Sequence, residues 1–273
     1  MTVRISLALL LALGASAPIL AQAPTTPPAA ATAQEDKALL AFLDQAFDQQ
    51  LALSPESMTS LGLKTDYGKL DDYSERADAR SLALQEQQLA QLHRRFSPER
   101  LGPSARLSYR LFEAQVATSK QQAPFAKYAF PVSTNGSPAG NIPVFLINEH
   151  RVDSVADAQA YIARLRDSER VMNEVATKMR DQAAQGIVPP KMVFAPARAD
   201  AKKVISGAPF DQGPDSTLFA DFKKKVGALK ASDAEKAKLI ADAQAALTGT
   251  FAKGFQTLFA ALDAIEPNAK RND

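Results

Sequence analysis

One long amphipathic stripe constrains this chain more than any other feature. From Val155 onward, apolar side chains recur at Ala158, Ile162, Leu165, Met172, Val175 and Met179, the spacing of a single helix face. Asp153-Ser154 precedes the stripe and can cap it. Gly186 follows where a left-handed C-terminal cap is wanted, Ile187 can fold back onto the last turn, and Pro189-Pro190 forbids continuation.

Ahead of this helix lies an irregular stretch. Phe130-Pro131-Val132 breaks the preceding helical pattern, and Asn135-Gly136-Ser137-Pro138-Ala139-Gly140 strings turn-forming residues together. A connection of about twenty residues without regular structure is uncommon in a compact domain and is usually functional or disordered. The apolar run Ile142-Pro143-Val144-Phe145-Leu146-Ile147 calls for burial and argues against disorder. The pattern predicts one long ordered loop over about residues 124–153, and its apolar run is the nearest thing to a strand signal in the chain.

The rest is helical in period. Leu39, Leu40, Phe42, Leu43, Ala46, Phe47 and Leu51 mark a first helix, and Pro55 opens a short second one ending by Gly62. Lys64 to Asp72, with Asp66-Tyr67-Gly68, reads as a loop. Leu82, Leu89, Leu92 and Phe96 face inward on a helix from Ser74, and Ser104 caps the next, which carries Leu107, Leu111, Ala114 and Val116 and closes at Pro124. Lys191 to Ser206 is helical from about Ala197, and Leu218, Phe219, Phe222, Val226 and Leu229 define a further helix. Ser232 and Glu235 fit a capping box opening a long terminal helix through Ile240, Leu247, Phe255, Leu262 and Ile265, which Glu266-Pro267-Asn268 breaks. The expected class is all-α, an irregular multi-helix bundle with one long ordered loop.

Residues 1–21 read as a signal peptide: Arg4 supplies the positive start, Ile5 through Leu13 the apolar core, and cleavage after Ala21 avoids leaving Pro18 or Pro24 just beyond the cut. That apolar stretch is too short to span about 30 Å of hydrocarbon, so no integral membrane span is expected after cleavage. The absence of cysteine removes a lipid-modified cysteine and any disulfide framework. A periplasmic or secreted protein is the expectation. Residues 22–34, rich in Pro, Thr and Ala, read as a flexible tether. Folding is expected from Glu35, and residues 35–273 form the helical domain. A formal charge of +2 over 273 residues gives no electrostatic case for nucleic acid.

Phe130-Pro131-Val132-Ser133, Glu149-His150, Ala160-Tyr161-Ile162-Ala163-Arg164-Leu165 and Gly186-Ile187-Val188-Pro189-Pro190 together resemble the N-terminal half of the DUF885 family, from about Leu53 to the end of the chain. The family is bacterial and similar in its C-terminal half to zinc metallopeptidases. The resemblance therefore implies the substrate-groove half of a metallopeptidase-like protein, with zinc belonging to a C-terminal half that this sequence does not include, and little or no activity alone.

The residues themselves offer no catalytic constellation. A zinc peptidase site needs two histidines one helical turn apart, a third ligand and a water-activating Glu. His93 and His150 are the only histidines, far apart in sequence, so no metal ligand set and no catalytic residue is assigned. His93 suits a helix C-terminus, where cations are favoured, whereas His150 could either bind substrate or fix the loop. Gly136-Ser137 lacks the second glycine of a hydrolase elbow, and Asn135-Gly136-Ser137 lacks the Lys-Ser/Thr of a phosphate loop. Lys223-Lys224-Lys225 reads as a solvated face.

The substrate-groove candidates are Phe130, Asn135, Glu149 and His150, with a peptide or other small substrate as partner. Two functions remain open: the groove half of a metallopeptidase-like protein, or a stand-alone periplasmic helical binding or scaffold protein. The first expects an exposed apolar face along the terminal helix and the Met172/Met179 stripe, and the second expects those faces covered.

Overall fold

The structure, a computed structural model, describes residues 29–270. Its helices among these residues are α1 (Ala29–Leu51), α2 (Pro55–Ser60), α3 (Glu75–Arg95), α4 (Pro103–Gln122), α5 (Pro138–Asn148), α6 (Val155–Ala184), α7 (Phe194–Val204), α8 (Thr217–Gly227), α9 (Asp233–Ala246) and α10 (Ala252–Ile265). The class is all-α. The signal peptide read over residues 1–21 lies outside the described residues.

α6 begins and ends as its sequence dictates. The Ser154 hydroxyl accepts from the Asp157 N–H. At the other end Gly186 takes φ +75°, its N–H donates to Ala183 O at 2.9 Å, and Ile187 N–H donates to Gln182 O at 2.9 Å, the reciprocal pattern that satisfies the last carbonyls of a helix. Around α6 sits the main core, built with α5, α7, α8, α9 and α10 and filled by Leu165, Met172, Phe194, Phe222, Phe251 and Phe255. α10 crosses α6 closely: a Cβ on Gly254 would lie 3.0 Å from Glu169 Cα. A smaller core joins α1, α3 and α4 through Leu39, Phe42, Leu92, Phe96, Leu101 and Tyr109.

Three expectations change. The segment 124–153 is not one loop, because a 3₁₀ turn occupies Ala123–Tyr128 and α5 fills Pro138–Asn148. Ser137 has the extended backbone of an N-cap and Pro138 sits at the first helical position, where its missing N–H costs nothing. Pro143 inside α5 forfeits one helical bond, and burial of Ile142, Pro143 and Leu146 outweighs that loss. The tether read over 22–34 gives way to helix at Ala29, since Ala29-Ala30-Ala31 has the highest helix propensity available. The long terminal helix is interrupted at Leu247–Phe251, where Gly249 leaves helical geometry between two threonines.

The apolar faces in question are covered. Met172 and Met179 are 1% and 3% exposed, and Phe255, Leu258, Leu262 and Ile265 on α10 are 0–3% exposed. Among the described residues, no helix is long and apolar enough to cross a membrane.

Candidate functional site

The loop between α2 and α3 is strapped across the outer face of α6 by side chains that α6 aims at its backbone. The Asp167 carboxylate accepts from Leu70 N–H at 3.0 Å, and the Glu174 carboxylate accepts from Tyr73 N–H at 2.9 Å. Between these two acids, Arg170 donates to both of them and to the carbonyls of Leu70 and Asp71. Asp167 and Glu174 raise the Arg170 pKa further above its ordinary value. Asp72 completes the strap. Burial works against its charge, but hydrogen bonds from Ser74 and Arg80 prevail and hold its pKa at about 2.

This strap leaves a cleft of about 1000 Å³ between the first turns of α3 and the solvent face of α6, lined by Ser74, Glu75, Arg76, Arg166, Asn173, Thr177 and Asp181 among others. A second cleft of about 850 Å³ runs between α3 and the 3₁₀ turn after α4, with Ala79, Leu82, Pro124, Phe125, Ala126 and Ala129 on its walls. Glu75 and Lys178 line both. One groove results, charged at the Arg166 end and apolar at the Phe125 end. Gln182 ties the chain after the 3₁₀ turn to α6, its side-chain amide donating to Lys127 O and Ala129 O at 2.9 and 3.0 Å.

The loop residues singled out from the sequence do not gather at this groove. Phe130 is half-buried beside Ala129 without lining either cleft. Asn135 is exposed on the tight turn that Ser133 and Gly136 close with reciprocal backbone bonds of 3.1 and 3.3 Å. Glu149 is exposed at the end of α5.

His150 is 1% exposed, inside the core. Its Nε2 donates to Asp157 O at 3.0 Å and its Nδ1 accepts from Arg164 Nη1 at 2.8 Å. The ring lies 4.1 Å from the Tyr67 ring and edge-on to Tyr161 at 5.1 Å, centroid to centroid. Burial lowers its pKa to about 3, so it is neutral at any physiological pH. These two bonds tie the α5–α6 connection to α6. His93 pairs with Glu113 at 2.7 Å on the surface, in the last turn of α3.

Both ring nitrogens of His150 are committed inside the core, and His93 meets a single carboxylate. Among the described residues no three His, Cys, Asp or Glu side chains converge on a possible metal position.

Sequence reading missed two features. Arg164 is fully buried, with its guanidinium donating to Lys69 O, Pro55 O, Thr59 Oγ1 and His150. Its rank inside the apolar stripe, between Tyr161 and Leu165, was the available signal. The lysine run is not uniformly solvated either: Lys225 donates to Leu146 O and Ile147 O at 2.9 and 2.7 Å, capping the C-terminal carbonyls of α5.

The family model described as a bacterial protein of unknown function (DUF885) matches residues 55–273. The crystal structure of a candidate lipoprotein from Colwellia psychrerythraea is similar in fold, with a TM-score of 0.67 at 19% identity over 89% of this chain. The match spans only 43% of the Colwellia chain. No curated protein matches.

Proposed function

Since the chain belongs to the DUF885 family, we propose that its helical domain is a peptide-binding module of an exported protein, with the groove between α3 and α6 as the binding surface. The observation that carries this reading is the stripe along the outer face of α6. Arg166, Asn173 and Asp181 line the cleft, are exposed, and have no side-chain hydrogen bond or ion pair among the described residues. A row of free charged and amide groups beside an apolar trough matches a polypeptide, which offers backbone donors and acceptors with side chains of both kinds. The covered faces of α6 and α10 favour the stand-alone binding reading over one in which those faces await a second half.

The alternative is the groove wall of a larger metallopeptidase-like protein, which the 43% span of the Colwellia chain supports. In that case zinc would come from residues other than those described, and the present residues would only bind and orient substrate. Export rests on the leader read over residues 1–21.

Nuclear magnetic resonance titration of the chain with mixed short peptides tests the binding reading. Shifts confined to the first turns of α3, the outer face of α6 and the turn at Ala123–Tyr128 are expected. Shifts clustered at Ser133–Gly136 or Glu149, or none at all, would remove the groove from consideration. Cell fractionation with and without residues 1–21 tests export.

A further inference from the structure

We propose that Asn135 is a modification site, where the main-chain nitrogen of Gly136 and a water molecule convert the side-chain amide into aspartyl and isoaspartyl forms without an enzyme. Asn-Gly occurs once in the sequence, at Asn135-Gly136. Thr134, Asn135 and Gly136 are the exposed tip of the turn that Ser133 and Gly136 close. The Asn135 side-chain amide makes no hydrogen bond among the described residues, and its main-chain N–H donates to Ser133 Oγ at 3.2 Å. Gly136 has no Cβ to shield its nitrogen. That nitrogen donates to Ser133 O across 3.3 Å, longer than the usual value of about 3 Å, so little restrains it. Asn148 is also exposed, but it ends α5, Glu149 follows it, and the Glu149 N–H is held by Phe145 O at 2.8 Å. Asn141 and Asn173 stand inside helices, ahead of Ile142 and Glu174.

The reaction balances with water as its only co-reactant. The Gly136 nitrogen gives its proton to solvent base and attacks Asn135 Cγ; a bond forms between them, and the Cγ–Nδ2 bond breaks as ammonia leaves. Water then opens the cyclic imide at either carbonyl. Attack at Cγ restores the main chain with an aspartate side chain, whereas attack at the main-chain carbonyl leaves the chain running through Cβ, a carbon longer. Both products place a negative charge ahead of Ser137 and the first turn of α5, where the helix dipole favours it. They differ in what they do to the turn. Val132 and Ala139 on either side of it are each 1% exposed, so its ends are pinned in the core. A carbon added between pinned ends is incompatible with the reciprocal Ser133–Gly136 bonds.

Tandem mass spectrometry of peptides from the full chain, aged in warm, mildly alkaline buffer, locates the change. The mass gain of an amide turned acid should appear at Asn135 while Asn141, Asn148 and Asn173 keep their amides. The product should resolve into aspartyl and isoaspartyl peptides. Asn135→Gln should abolish the gain at this position, because attack on the longer side chain must close a larger, less favoured ring. An intact Asn135, conversion first at a helical asparagine, or conversion only after urea has unfolded the chain would overturn the proposal. Nuclear magnetic resonance then separates the products. The cross-turn Overhauser contact between Ser133 and Gly136 should be lost in the isoaspartyl form and kept in Asn135→Asp, which carries the charge on an unaltered main chain. The same result in both would overturn the part assigned to the added carbon. Asn135 is exposed, so neither substitution threatens folding, and an unchanged circular dichroism spectrum verifies this.

Discussion

Arg164 donates from Nη1 to Nδ1 of His150 across 2.8 Å in the interior, where neither residue exceeds 1% exposure. The imidazole passes the connection on by donating from Nε2 to Asp157 O, so its proton resides on Nε2. The guanidinium lies between the Tyr67 and Phe145 rings, 5.1 and 4.9 Å from their centroids, and also donates to Lys69 O, Pro55 O and Thr59 Oγ1. Five segments thereby meet at one cation: α2, the loop that follows it, α5, the α5–α6 connection and α6. Burial lowers the Arg164 pKa to about 10, which still leaves it charged in neutral solution.

Replacing Arg164 by Met should therefore cost about 3–5 kcal/mol of stability, because it strands the buried His150 Nδ1 and the part-buried Lys69 carbonyl together, while Pro55 O keeps the Thr59 hydroxyl. Arg164→Lys should recover little, since one ammonium cannot reach acceptors disposed around a planar fork. Urea denaturation monitored by circular dichroism measures both. A loss below about 1 kcal/mol for the Met variant would show that the acceptors find other partners.

The depressed pKa of His150 makes stability depend on pH. Its folded value of about 3 lies below the ordinary 6.5, so the unfolded chain binds the extra proton between them. Stability from this group is complete above pH 6.5 and is lost progressively as pH falls toward 3, at about 1.4 kcal/mol per pH unit. Between pH 6.5 and 4.5 the wild-type protein should lose about 2–3 kcal/mol that the His150→Gln variant does not lose, because Gln keeps a donor and an acceptor without titrating. Denaturation midpoints of the two proteins across that range, above most carboxylate titrations, isolate the effect. Parallel curves would mean that His150 is protonated in the fold.

The fold was legible wherever a helix carried both its stripe and its ends. The capping box of Ser232 and Glu235 and the Gly186 terminus appear where their residues stand. α5 was not legible, because two prolines and an Asn-Gly turn look like loop residues until one sees that Ser137-Pro138 opens a helix and that only Pro143 lies inside it. Leu107 and Leu111 followed helical spacing yet are 59% exposed, since α4 turns Ala105, Tyr109 and Val116 inward instead. The groove was hidden for a general reason. The polar face of α6 has the composition of any solvated helix surface, and only the strap of residues 70–73 laid across it by Asp167, Arg170 and Glu174 turns that face into a cleft wall.

Two glycines inside helices should respond in opposite directions to alanine. At Gly254 the new Cβ would meet Glu169 Cα at 3.0 Å and Met172 side-chain atoms at 3.2 Å, so α10 must shift away from α6. A cost of about 1–3 kcal/mol is expected. At Gly140 nothing lies within 4 Å of the added methyl and the backbone is not left-handed, so restriction of the unfolded chain should stabilise the protein by about 0.4–1 kcal/mol. Thermal melts of the two variants give the signs directly, and equal shifts would contradict the close α6–α10 crossing.

Arg170→Ala should damage the groove more than the fold. Its side chain is 38% exposed and joins Asp167, Glu174 and the carbonyls of Leu70 and Asp71. Asp167 and Glu174 keep their own bonds to Leu70 and Tyr73, so the loop stays tethered and the stability loss should be about 1–2 kcal/mol. Removing the cation leaves two carboxylates a helical turn or two apart without compensation on the cleft wall, and the loop backbone loses two of its fixed contacts. Affinity for short peptides should fall, most for acidic ones, because the local charge has become negative. Titration with the mixed short peptides, paired with a urea denaturation curve, reads both effects. Unchanged affinity in a variant of lowered stability would show that the strap holds the fold and contributes nothing to binding.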